Sequence, residues 1–342
     1  MGVSGPVPTA RADAAVQMER WILDGHCQHD SGATAAWSDA RTRRLAFPYP
    51  EITGYFLTFA ANSQVLNEDR RRRSTQAAVW LTERLKAGAL HGRDDQPDRI
   101  YSFDLAMISA GLMAIGTRLG RTEWIESGRA IADHIRGCWD DGAAPVALLG
   151  SSNSVPLRWS TTGRVHLAKA VQCMLWAAEH GSAAAIEAAD TILSTLEDEI
   201  GRVTEATAHT ELHPLLYAAE GLWIWANHQL DSDRLQLARH VTEWVWRFQL
   251  SSGGFPANTN PAGAIEQSDV LAQAIRLARL VDIPAPGLPR AMDQLRRTLV
   301  PDRGGAALPY RPTSAEVHLN SWSTMFATQA LGSGVISWRG LV

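Results

Sequence analysis

From residue 13 onward, apolar residues recur with the three-to-four-residue spacing of amphipathic helices, and no segment sustains strand alternation. The run Phe103-Asp104-Leu105-Ala106-Met107-Ile108-Ser109-Ala110-Gly111-Leu112-Met113 is close to continuously apolar. It predicts a helix buried on nearly all sides. The next segment, 122–137, carries Trp124, Ile125, Ile131 and Ile135 on one side and charges opposite, which predicts a helix with one wet face. A buried helix followed by an amphipathic one is the pattern of an inner and an outer layer.

That alternation repeats along the chain. Inner helices are predicted at 51–65, 102–119, 161–180, 210–229, 267–282 and 318–333, and outer helices at 67–87, 122–138, 182–199, 232–250 and 287–299. Segment 13–24 supplies a sixth outer helix that pairs with the last inner one. Glycines follow the outer helices at Gly25, Gly88, Gly142, Gly201, Gly253-Gly254 and Gly304-Gly305, where a left-handed residue would end each helix. Six hairpins closed end to end predict an all-α (α/α)6 toroid, with an open solenoid as the competing arrangement. The expected organisation is a loose tail over 1–12 and one domain over 13–342.

Composition narrows the function. About 45% hydrophobic and 20% charged residues suit a globular core, and a net charge of −4 gives no basic face for nucleic acid. The one dense basic run, Arg70 to Arg73, follows Glu68 and Asp69 and reads as a solvated helix start. No apolar run is long enough to span a bilayer, and the N-terminus lacks the apolar core of a signal peptide. Cys27, Cys138 and Cys173 are scattered and odd in number, so no disulfide framework is expected and a cytoplasmic location follows. Thirteen tryptophans against five tyrosines provide packing area and, equally, surface for stacking sugars or lining a hydrocarbon site.

Polar residues gather where inner helices begin: Glu51, Asp104, His213 and Asp269, with Trp322 in the same position of the last repeat. Acidic residues there can cap a helix and meet its dipole. Equivalent repeats would nevertheless place all of them on one ring at the mouth of a central pocket. Carboxyl groups facing each other across a pocket suit acid/base chemistry on glycosidic bonds or sugars. On the fourth inner helix His213, Tyr217 and Glu220 share one face at i, i+4 and i+7, and Gln273 and Arg276 form a second stripe after Asp269. An ionisable stripe on an apolar helix is either a satisfied core network or a pocket wall. The candidate catalytic set is therefore Glu51, Asp104, His213, Glu220 and Asp269, with Tyr55, Tyr217, Trp322, Arg276 and Gln273 binding substrate.

Other motifs carry less. Asp94-Asp95-Gln96-Pro97-Asp98 has the DDxxD spacing that holds magnesium when on a helix, but Pro97 and Gly92 predict a loop. His26-Cys27-Gln28-His29-Asp30 lacks a four-ligand zinc spacing. GxGxxG, P-loop and GxSxG motifs are absent. Neither a metal nor a cofactor is expected.

Two groups of proteins resemble this organisation. The six-hairpin glycosidases, with related lyases and sugar epimerases, share the hairpin count and an acidic, aromatic pocket. The terpenoid cyclases and protein prenyltransferases share helix pairs followed by glycine-bearing turns, as in Trp246-Arg247-Phe248-Gln249-Leu250-Ser251-Ser252-Gly253-Gly254-Phe255. The chain departs from the second group in lacking the DxDD acid motif and a zinc set. Pro50-Glu51-Ile52-Thr53-Gly54-Tyr55 with the His213/Tyr217/Glu220 helix is similar to bacterial toroids of sugar and polysaccharide pathways. The first resemblance implies a carbohydrate-active enzyme, a hydrolase, lyase or epimerase without nucleotide cofactor, acting on a small-molecule or oligosaccharide substrate. The alternatives are an apolar-substrate cyclase and a non-catalytic binding or scaffold toroid.

Overall fold

The computed structural model describes residues 7–88, 99–140, 146–148, 160, 163–205, 209–260 and 264–342. The Asp94/Asp95/Asp98 motif, its neighbours Gly92 and Pro97, Gly142 and residues 1–6 lie outside them.

Outer helices are α1 (Val7–Leu23), α3 (Glu68–Lys86), α5 (Thr122–Asp140), α7 (Ala185–Glu205), α9 (Ser232–Trp246) and α11 (Leu288–Arg297). Inner helices are α2 (Pro50–Asn62), α4 (Ser102–Leu119), α6 (Val171–Glu179), α8 (Leu212–Gln229), α10 (Ser268–Leu280) and α12 (Ser321–Leu331). A 3-10 stretch, Val165–Ala170, leads into α6. Each inner helix touches the next, and α12 returns to α2. The ring is closed, as an (α/α)6 toroid requires and an open solenoid would not allow. α1 begins earlier than the 13 expected from the sequence and packs on α12.

Inner helices are buried almost all round: Phe103 to Gly116 of α4 form one unbroken buried run. Outer helices bury one stripe, in α5 Trp124, Ile131 and Ile135. Two neighbouring inner helices meet backbone to backbone at Gly54 and Gly111, where a Cβ on Gly111 would lie 2.2 Å from the Gly54 carbonyl oxygen. No other residue fits that crossing.

Arg70 departs from the solvated reading of the basic run. It is buried, and its guanidinium ties α3 to Glu19 of α1 and to Asp24 just beyond it, each at 2.9 Å. Gly25, Gly88, Gly253 and Gly304 take the expected left-handed conformation, whereas Gly201 lies inside α7.

Short strands lie among the helix connections. β1 (Trp37–Asp39), β4 (Val300–Asp302), β5 (Gly305–Pro309) and β6 (His318–Asn320) form an antiparallel sheet in the order β1-β6-β5-β4. β2 (Arg99–Tyr101) pairs with β3 (Val146–Leu148). β2 runs directly into α4 and β6 into α12, so both sheets sit at the N-terminal ends of inner helices. At the other end the chain terminus packs into the ring: Gln172 Nε2 donates to the Trp338 and Leu341 carbonyls at 2.9 and 2.8 Å. The toroid is thus lined by sheet at one mouth and plugged at the other.

Candidate active site

The open mouth leads to a cavity of about 150 Å³. Its wall includes Glu51, Asp104, His213 and Asp269, one from the first turn of each of α2, α4, α8 and α10. In the ring order α2 stands opposite α8 and α4 opposite α10, so two carboxyls face a histidine and a third carboxyl. The residues before these helices, Tyr49, Tyr101, Glu211 and Gln267, make no side-chain cap bond. These helix starts are not built around caps, which weakens the capping account of the polar ring.

Glu51 and Asp104 are neighbours with little water to share. Burial raises the Glu51 carboxyl to about 7, against the opposing pull of Tyr49, Asp104 and the Lys169 ammonium. Burial and then the Glu51 charge push Asp104 well above the usual carboxylate range, and its Oδ2 has no hydrogen-bond partner. Two carboxyls so close cannot both ionise cheaply, so the pair retains a proton near neutral pH.

The facing side is well held by hydrogen bonds. Asp269 Oδ2 accepts from Trp322 Nε1 at 3.1 Å and Gln267 Nε2 at 3.3 Å, and Oδ1 accepts from the Val270 amide at 2.8 Å. His213 Nε2 lies 3.7 Å from the same Oδ2, and its Nδ1 lies 2.6 Å from Gln273 Oε1. Aromatic rings complete the wall: Tyr217, 4.4 Å from the His213 ring, and Trp322, edge-on to Tyr310 at 5.5 Å.

One layer deeper, under the cavity, lies a fully buried charge network. Glu220 receives Lys169 Nζ at 2.6 Å, Gln273 Nε2 at 2.9 Å and the Arg276 guanidinium. Burial opposes its charge, but Arg276 and Lys169 outweigh burial and hold its pKa below the ordinary value. Lys169 is surrounded by the Tyr55, Tyr217 and Phe326 rings at 4.9, 4.9 and 5.5 Å. Burial brings its ammonium down to about 8 although Glu220 supports it, so it stays protonated at neutral pH.

The sequence-derived set therefore divides by depth. Glu51, Asp104, His213, Asp269, Tyr217 and Trp322 share the cavity wall. Glu220, Gln273, Arg276 and Tyr55 belong to the buried layer instead: a step of four or seven residues along a helix descends roughly 6 or 10 Å, and at four residues only the Tyr217 ring still reaches the wall. Sequence reasoning passed over His166, Lys169, Tyr49 and Tyr310. His166 lines the cavity, and burial, then the neighbouring His213, brings its pKa down to about 3, so it is neutral. His166 and Lys169 are three residues apart on the 3-10 lead of α6. That spacing was a readable signal, but the predicted helix start at 161 put them in its interior.

Among the described residues no three His, Cys, Asp or Glu side chains gather to hold a metal ion, and no helix is long and apolar enough to cross a membrane. Cys27 and Cys173 are free and buried.

No protein-family model and no curated protein sequence matches the chain. Solved structures do. The chain is similar to a D-mannose isomerase at TM-score 0.76 and 10% identity, covering 96% of this chain and 98% of that one. A cellobiose 2-epimerase from Bacillus thermoamylovorans superposes at TM-score 0.69 and 11% identity, over 93% and 98% of the two chains. An unsaturated glucuronyl hydrolase from a Bacillus species gives TM-score 0.67 at 12% identity, over 94% and 95%. At these identities the likeness shows the fold: the chain is an (α/α)6 toroid of six helical hairpins.

Proposed function

We propose that the chain is a carbohydrate-active enzyme, an isomerase or epimerase that moves a proton on a sugar held in the central cavity. The observation that carries this reading is the opposition of two proton-handling sides: the Glu51/Asp104 pair, which keeps a proton near neutral pH, and His213 beside the Asp269 carboxylate. In this reading His213 removes a proton from the carbon next to a sugar carbonyl. Glu51 or Asp104 gives its proton to the carbonyl oxygen, leaving an enediol. Return of a proton to carbon, and of the hydroxyl proton to the carboxylate, completes the exchange. Tyr217 and Trp322 offer aromatic faces to the apolar C–H side of the ring.

Support also comes from the names of the similar structures, an isomerase, an epimerase and a hydrolase of sugars. A dry aromatic cage for a hydrocarbon would not carry three carboxyls and two histidines on its wall, and a scaffold has no need to gather such groups around a cavity of about 150 Å³. Hydrolysis is the second reading, favoured by Glu51/Asp104 facing Asp269 across the cavity. It ranks lower because the Asp269 oxygens are already engaged by Trp322, Gln267 and Val270, which leaves little room to activate a water. We place the enzyme, as one domain over 13–342 with a small-molecule or oligosaccharide substrate, in a reducing, cytoplasmic setting consistent with its free cysteines.

The test is a panel of aldoses, ketoses and disaccharides incubated with the protein in D2O and followed by NMR. The expected result is deuterium entering a carbon next to a carbonyl, slowed about 10²-fold or more in Glu51→Gln and in His213→Gln. Bond cleavage without such exchange would favour hydrolysis, and a panel left unchanged by the folded protein would contradict the enzyme reading.

A further inference from the structure

His213 is approached from below as well as from the cavity. Its Nδ1 lies 2.6 Å from Gln273 Oε1, and Gln273 Nε2 lies 2.9 Å from Glu220 Oε1. An ionised carboxylate only accepts hydrogen bonds, and a side-chain amide has one accepting and one donating end. Glu220 is kept ionised by Lys169 and Arg276, both buried with it. The amide must therefore turn its NH2 to Glu220 and its oxygen to His213. That oxygen cannot donate, so the hydrogen between the two side chains belongs to Nδ1. The neutral ring then carries its lone pair on Nε2, the nitrogen beside Asp269 at the cavity wall.

We propose that Glu220 and Gln273 are positioning residues that fix His213 in its Nδ1–H tautomer, so that the ring presents a proton-accepting Nε2 to the cavity. The role of His213 as base rests on the function proposed above, whereas the tautomer follows from the hydrogen-bond chain alone. When Nε2 takes a proton, the imidazolium so formed stands 3.7 Å from a carboxylate held by Trp322 and Gln267. Glu220 touches no part of the cavity and acts through the amide. Lys169 and Arg276 supply the charge that gives the relay its direction. A reversed amide would put a carbonyl oxygen against the Glu220 carboxylate and an NH2 against the ring, transferring the proton to Nε2 and removing the base.

The experiment is a long-range 1H–15N correlation spectrum of the labelled full chain, with the His213 signals assigned by their loss in His213→Gln and followed through a pH titration. The neutral ring is expected to carry hydrogen on Nδ1 and a bare Nε2. In Gln273→Met, similar in size but unable to bond, the Nε2–H form should appear, and kcat on any sugar found by the panel should fall about 10²-fold or more with KM little changed. A wild-type ring with hydrogen on Nε2, one protonated at both nitrogens throughout the titration, or a folded Gln273→Met protein with an unaltered tautomer would overturn the proposal. If Gln273→Met fails to fold, the wild-type spectrum still decides. The predicted tautomer in a protein that turns over no sugar would support the relay and count only against the function.

Discussion

Glu51→Gln separates a working acid from a helix brace, because the two roles have opposite signs. Glu51 sits in the first turn of α2, is only 8% exposed, and its carboxyl is raised from 4.5 to about 7, chiefly by burial. A group whose folded pKa lies above its unfolded value contributes stability below the unfolded pKa and loses it as pH rises through the folded one. At about 1.4 kcal/mol per pH unit, the gap from 4.5 to about 7 corresponds to about 3 kcal/mol lost between pH 4.5 and pH 8. Glutamine cannot ionise and escapes that loss. Relief of the Asp104 carboxyl, which the Glu51 charge raises, works in the same direction. Urea unfolding of the wild type and Glu51→Gln at pH 5, 6, 7 and 8 should therefore give a gap under about 1 kcal/mol at pH 5, opening to about 3 kcal/mol in favour of the variant at pH 8. A brace that meets the helix dipole predicts a variant weaker by about 0.5 kcal/mol at pH 8. That result, or a gap that does not change with pH, would refute the buried-acid account.

Three further outcomes follow from the fold. Gly111→Ala drives a methyl group into the Gly54 carbonyl at the α2–α4 crossing and should cost at least about 2 kcal/mol by urea unfolding; an unchanged midpoint would contradict the crossing. Glu220→Gln leaves Lys169 and Arg276 buried without their anion and should cost about 3–5 kcal/mol, read from the same titration, with a loss under 1 kcal/mol counting against the network. Deleting residues 1–25 removes α1 from α12 and strips the partners of Arg70, so the protein should be insoluble; a soluble product with an unchanged melting temperature would contradict the closed ring.

The layers were legible because periodicity reports burial directly. The apolar run of α4 and the single stripe of α5 mark an inner and an outer helix, and six inner and six outer helices lie where the pattern put them. Even so, α6 begins ten residues after the predicted 161, α1 six residues before the predicted 13, and α7 ends six residues after the predicted 199. The sheets were not legible. Their strands are three to five residues long, and β1 pairs with β6 from the far end of the chain, Trp37 opposite Asn320, a closeness that only ring closure creates. In the site, position in the first turn of an inner helix was enough to bring Glu51, Asp104, His213 and Asp269 to one wall. Depth was not readable from the same pattern. Glu220 and Arg276 share a helical face with His213 and Asp269, but helical phase gives direction around the axis and not distance along it. Lys169 was missed because a helix start at 161 put it in a helix interior, away from the mouth where polar residues were sought. Its place is set by Glu220 and the Tyr55, Tyr217 and Phe326 rings, which come from three other helices.

The most direct test of the central claim is a crystal of the protein soaked with sugars from the turnover panel. A sugar ring should occupy the cavity, with one edge at Glu51 and Asp104, the opposite edge at His213 and Asp269, and a face against Tyr217 or Trp322. A sugar bound elsewhere on the protein, with this cavity holding only solvent, would contradict the account.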